Sequence, residues 1–200
     1  MQVETVDYKA ADASTTLARS LRDTGFAVLA NHPITPDRIT EIYDGWGDFF
    51  AGEDKFDYAV QPPAHDGYFA FRSENAKDSP VKDLKEFFHV YPGCGLPAEL
   101  TEMTRRIYAD LNALGCELLA WIQAEAPASL TESLSMPLDT MMDDSEQSLL
   151  RILHYPPVSD AEPGAIRAAA HEDINLITLL LSGSKPVSYT HLTLPTIFRV

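Results

Sequence analysis

Leu150-Arg151-Ile152-Leu153-His154-Tyr155-Pro156-Pro157, followed by His171-Glu172-Asp173-Ile174-Asn175-Leu176-Ile177-Thr178, is the part of the chain whose reading decides its fold. Leu149–Tyr155 reads as a strand, stopped by two prolines that cannot donate to a ladder. Pro156–Gly164 is a turn-rich loop, and Ile174–Leu181 is a second apolar strand. His171 and Asp173 stand at the entry to it. Side chains two residues apart on extended backbone project to one side, so this imidazole and carboxylate can ligate one metal, with Glu172 turned away. A second imidazole from elsewhere would complete the facial triad of non-haem iron(II), which leaves three positions open. Alone the pair is weak: with six histidines in 200 residues, a His-x-Asp arises by chance, and a loop histidine before a capping or solvated aspartate is the plain alternative. Arg151 is charged inside an apolar strand, which is costly unless it meets an anion. It either lines a pocket or forms a salt bridge.

Moving toward the N-terminus, 98–126 shows the strongest periodicity. Leu100, Met103, Ile107, Leu111, Leu114, Leu118 and Ile122 form one apolar stripe on a long helix, opened by Pro97 and closed by Pro127. A helix of that length serves as a spine against which a sheet packs. Residues 129–147 read as a weaker helix and a loop. Lys85–Tyr91 alternates, with Phe87, His89 and Tyr91 on one face and Phe88 and Val90 on the other; His89 is a core or pocket-wall residue. Residues 61–83, with Pro62, Pro63, Gly67 and Pro80, read as a long loop. Thr35-Pro36 opens a helix carrying Ile39, Ile42, Tyr43, Trp46, Phe49 and Phe50. Phe26–Ala30 is a buried strand ending in the turn Asn31-His32-Pro33, where His32 is a structural residue rather than a ligand. Ser14 is the expected N-cap of a helix over Thr15–Thr24 that stops at Gly25.

Composition narrows the classes. Fifteen Lys and Arg against thirty Asp and Glu leave a net charge of −15, which opposes nucleic-acid backbones and anionic membranes as partners. With 45% apolar and 10% aromatic residues the chain can build a core. MQVETVDYKA has neither the basic nor the apolar region of a signal peptide, and no apolar run is long enough to span a bilayer. Cys94 and Cys116 lack ligand or disulfide spacing, which suits a reducing cytosol. A cytoplasmic globular protein is expected. No phosphate loop, Ser/His/Asp arrangement or cysteine metal site is present.

Taken together, the Tyr155-Pro156-Pro157 strand end and His171-x-Asp173 with Ile177-Thr178 resemble the isopenicillin N synthase-like branch of the iron(II)/2-oxoglutarate dioxygenases. Gly25-Phe26 to Asn31-His32-Pro33-Ile34 is similar to the family's "GF…NHGI" segment, Phe49-Phe50 with Lys55 to its "FF…K" helix end, and Gly67-Tyr68 with Asp83-Leu84-Lys85-Glu86-Phe87 to its "GY…DLKE" hairpin. The resemblance implies an α+β fold: an N-terminal helix–strand lead-in over 1–95, a spine helix with a following helix and loop over 96–147, and the opening of a double-stranded β-helix (jelly-roll) over 148–186. It implies Fe(II) on His171 and Asp173, 2-oxoglutarate contacted by Tyr155, O2 as oxidant, and a small-molecule substrate in a pocket lined by Arg151; His89 is the pocket-wall candidate from its alternation. Oxidation of that substrate, or formation of ethylene and succinate from 2-oxoglutarate, is the expected activity, in a protein that is monomeric when complete. His154 is expected to pack beside the metal strand.

The departures are equally specific. The family's third ligand is a histidine some fifty residues after the first, followed by an Arg-x-Ser for 2-oxoglutarate, and neither is present. His191 lies at the wrong spacing. Leu153 and Pro33 replace family asparagine and glycine residues. All acidic residues precede position 174, and Val187–Thr196 resembles a reading frame of a sequencing-library adaptor. These features lead to an expectation of a C-terminally truncated, inactive fragment with a non-native tail at 187–200. Two other classes remain open: a non-catalytic binding module with an incidental His-x-Asp, and an acidic interaction protein that uses the 98–126 stripe.

Overall fold

The computed structural model describes residues 2–74, 82–157, 167, 175–181 and, as backbone, 196–199. These divide into two compact units, residues 1–41 with 105–145 and 174–200, and residues 42–104 with 146–173.

The first unit carries a sheet of strand order β1-β2-β7-β6. Its strands are β1 (Thr5–Asp7), β2 (Phe26–Ala30), β6 (Thr178–Leu181) and β7 (Thr196–Arg199). β1 runs parallel to β2, and β7 is antiparallel to both β2 and β6. Thr196–Arg199, within the stretch expected to be a non-native tail, therefore forms a short strand. Two open strand edges template pairing for any β-forming segment.

Helix α1 (Ala13–Thr24) precedes β2 and buries Leu17; Gly25 ends it at φ 76°, where its N–H bonds the Leu21 carbonyl at 2.7 Å. Only a residue without a Cβ adopts that left-handed stop cheaply. The start differs from the sequence reading. Asp12 is the N-cap and makes no side-chain cap bond, while Ser14 and Thr15 donate their hydroxyls to Glu125 Oε1 at 3.0 and 2.9 Å. The helix already begins at Ala13, so Ser14 lies in its first turn, past the capping position. Glu117 accepts from Tyr8 in the same unit, and that bond pushes the phenol up to about 12.

The remaining helices are α2 (Pro36–Ala51), α3 (Thr101–Glu125) and the short α4 (Ala128–Thr131). Leu100, Ile107, Leu114 and Leu118 of the expected stripe are buried. The helix starts at Thr101 rather than just after Pro97, because Pro97 accepts the Leu100 N–H in a turn. The weak segment after it resolves into α4 and a 3-10 turn over Asp139–Met142. No helix among the described residues is long and apolar enough to cross a membrane.

The second unit holds a sheet of order β3-β4-β5, all antiparallel: β3 (Gly67–Phe69), β4 (Glu86–Val90) and β5 (Leu150–His154). β3 corrects the pattern-based reading of 61–83 as a long loop, and its pairing with β4 gives the hairpin that the resemblance implied. Polar neighbours hide a three-residue strand whose one buried side chain, Tyr68, leaves no alternation to detect. The core of this unit is aromatic. Trp46 lies 4.9 Å and Phe49 5.8 Å from the Phe88 ring, and the Trp46 indole donates to Thr104 Oγ1 at 3.0 Å. A buried indole N–H requires such a partner.

Gly67 fixes where β3 begins. Its φ is +106°, and a Cβ there would lie 2.7 Å from the Tyr58 carbonyl oxygen, which is backbone and cannot swing aside. Gly67→Ala is expected to cost about 1–3 kcal/mol, read as a lower urea midpoint at unchanged slope.

Candidate active site

The two faces of the second sheet carry different chemistry. Pairing of Glu86 with His154 and of Phe88 with Ile152 defines the rear face, and pairing of Phe87 with Leu153 and of His89 with Arg151 defines the front.

On the rear face Glu86, with a side chain 5% exposed, gathers three donors. Lys55 Nζ lies 3.1 Å and the Tyr68 hydroxyl 2.5 Å from Oε2, and His154 Nδ1 lies 2.7 Å from Oε1. Burial pushes the Glu86 carboxyl up, but bonds from Tyr68, His154 and Lys55 outweigh it and hold the group below the ordinary carboxylate range. Lys55 also donates to the Phe50 carbonyl at 2.6 Å, and His154 stacks on the Phe50 ring at 5.1 Å. The "FF…K" and "DLKE" landmarks, whose Lys55 and Glu86 are 31 positions apart, are thus two halves of one buried ion pair. His154 packs and bonds here; His171 and Asp173, beside which it was expected to pack, lie outside the described residues.

The front face is part aromatic and part ionic. Phe69 and Phe87 stack with centroids 4.5 Å apart, and the Arg151 guanidinium lies 4.1 Å above the Phe87 ring. Arg151 meets its anion within the chain: its terminal nitrogen pairs with Glu74. Lys85 bridges Glu74 at 3.1 Å and Asp83 at 2.8 Å. Two cations and two carboxylates leave this cluster neutral. Burial raises the Glu74 carboxyl, and the bond from Lys85 with the charge of Arg151 more than reverses that. Sequence reasoning missed Glu74, which sits in polar loop with no periodicity around it. Lys85 could have been found, since it is a cation in register with Phe87 and His89.

His89 lies between the aromatic rings and the ion cluster. Its Nδ1 is 3.0 Å from the His65 carbonyl, which can only accept, so the ring proton sits on Nδ1. Burial pulls its pKa down, leaving a neutral ring with a lone pair on Nε2. That Nε2 and the Nε of Arg151 are buried without a partner among the described residues. Tyr155, just past β5, is half-buried, and burial raises its phenol, so it stays a donor. His89, Arg151 and Tyr155 thus come together on one unit. His171 and Asp173 lie outside the described residues, and among the described residues no group of three or more His, Cys, Asp or Glu could hold a metal.

Known proteins match along the whole chain. The family profile described as "non-haem dioxygenase in morphine synthesis N-terminal" matches residues 3–106. Proline hydroxylase buaE of Petromyces alliaceus is 30% identical over an alignment of 190 residues that covers 84% of this chain and 57% of that protein. The chain therefore spans little more than half the length of this curated relative. A crystal structure from Shewanella oneidensis, described as an oxygenase, superposes with TM-score 0.84 at 41% identity over 99% of this chain and 74% of that one. A 2OG-Fe(II) oxygenase family protein from Caulobacter crescentus gives TM-score 0.71 at 28% identity, over 99% and 73%. With its N-terminal half matched by the profile and its fold shared with these oxygenases, the chain belongs to the non-haem dioxygenase family of Fe(II)/2-oxoglutarate-dependent oxygenases.

Proposed function

We propose that this chain carries the substrate-facing part of an Fe(II)- and 2-oxoglutarate-dependent oxygenase that oxidises a small molecule. The observation that supports this most is the front face of the β3-β4-β5 sheet, where His89 and Arg151 hold unpaired polar atoms beside an aromatic wall. The donor chemistry fits the metal: an imidazole and a carboxylate, His171 and Asp173, suit Fe(II) as two of three protein ligands. Bound iron with 2-oxoglutarate and O2 would supply the oxidant, with succinate and carbon dioxide as by-products. Tyr155 would donate its hydroxyl to a cosubstrate carboxylate. Phe69 and Phe87 keep water from the reacting centre, and Arg151 and His89 orient the substrate. β5 and β6 would open the double-stranded β-helix. Hydroxylation, desaturation, ring closure and ethylene formation all remain accessible to such a site. A cytoplasmic, monomeric protein is the matching setting.

The test measures succinate with Fe(II), ascorbate and 2-oxoglutarate supplied. The full-length gene product is expected to release succinate above a metal-only control. Residues 1–200 are expected to release none, because a third ligand and a 2-oxoglutarate arginine are wanting. No succinate from the full-length product would refute the oxygenase reading. Turnover by residues 1–200 that disappears in His171→Ala would bring His191 in as a ligand.

A further inference from the structure

Two buried polar atoms on the front face stand unpaired among the described residues, and they are of opposite kind. Arg151 Nε–H is a donor and His89 Nε2 is an acceptor. The residues sit directly opposite each other on antiparallel strands, so their Cβ atoms are ~5 Å apart. Neither atom can satisfy itself locally. Glu74 and the Phe87 ring hold the guanidinium by its terminal nitrogen and its face, and the His65 carbonyl holds the imidazole by Nδ1. Buried groups of this kind are costly to leave unbonded.

We propose that Arg151 Nε–H and His89 Nε2 form a two-point site for a neutral substrate group that presents an acceptor beside a donor, a carboxamide or a hydroxyl, in preference to a carboxylate. This rests on the reading of the front face as the substrate pocket. A carboxylate could accept from Arg151, but it would set its lone pairs against the His89 lone pair. It would also meet a cluster in which Glu74 and Asp83 already neutralise Arg151 and Lys85. An amide satisfies both atoms, its carbonyl on Arg151 and its N–H on His89. A hydroxyl does the same with one oxygen.

The test uses metal-free 200-residue chain, nitrogen-15 labelled at His and Arg, followed by NMR near neutral pH. The probes are acetamide, N,N-dimethylacetamide and acetate. Acetamide is expected to move both the His89 Nε2 and the Arg151 Nε–H signals. Dimethylacetamide, which only accepts, should move Arg151 alone, and acetate should bind roughly tenfold more weakly than acetamide. Arg151→Lys keeps the charge for Glu74 but loses the Nε–H edge, and His89→Phe keeps the ring but loses the acceptor. Each should weaken acetamide roughly tenfold, and Arg151→Lys suffices if His89→Phe does not fold. Acetate binding as tightly as acetamide, or no probe moving either signal, overturns the proposal. These readouts need no iron, so their failure is separable from failure of the succinate assay.

Discussion

Glu86→Ala is expected to destabilise the protein by about 3–5 kcal/mol, the usual cost of leaving a buried charge without its partner. Lys55, with a side chain only 14% exposed, would lose its carboxylate, and the Tyr68 hydroxyl and His154 Nδ1 would lose their acceptor. For a chain of this size that loss lowers Tm by on the order of 10 °C, measured by calorimetry. The paired change Glu86→Leu with Lys55→Met should recover part of it: removing both ions removes their desolvation cost, while the Tyr68 hydroxyl and His154 Nδ1 stay without an acceptor. The pH dependence has a definite sign. The folded-state pKa of Glu86 lies below its unfolded value, near 4.5. Its contribution is therefore complete above about pH 4.5 and is lost as pH falls through the depressed folded value. Glu74 works in the same direction. Glu86→Ala should accordingly show a shallower loss of stability on acidification than the parent. Equal acid sensitivity in the two would show that Glu86 does not carry it.

Asp173→Ala in the full-length product is expected to abolish 2-oxoglutarate turnover, with a loss exceeding the ~100-fold seen when groups that merely support a metal ligand are removed. Asp173→Glu is nearly as informative. One added methylene displaces the carboxylate by more than the ~0.5 Å tolerance of a catalytic site. Succinate release and the iron content of the purified variants should fall together. Full activity in Asp173→Ala would remove the iron reading altogether, while leaving the Glu86 prediction untouched.

The longer elements were legible in the sequence because each repeats a signal at its own period, whereas the three-residue strands β1 and β3 are too short to repeat one. The stripe from Leu100 to Ile122 marked α3, Phe26–Ala30 marked β2, and the alternation around Phe87 and His89 marked β4. The family landmarks were legible too, and they identified His171, Asp173 and Tyr155 as site candidates. What the landmarks do was not legible. Lys55 and Glu86 are separated by thirty residues, and only sheet pairing beside α2 makes them one ion pair. Likewise Arg151 could be read as pocket-lining or salt-bridged. The structure assigns its terminal nitrogen to Glu74 and leaves its Nε without a partner among the described residues, because a loop residue with no pattern of its own is brought over the front face. Periodicity is local and survives in the linear chain. Which charge meets which, and which polar atom stays unpaired, depends on contacts between distant segments, and those exist only once the sheet is paired and the core closed.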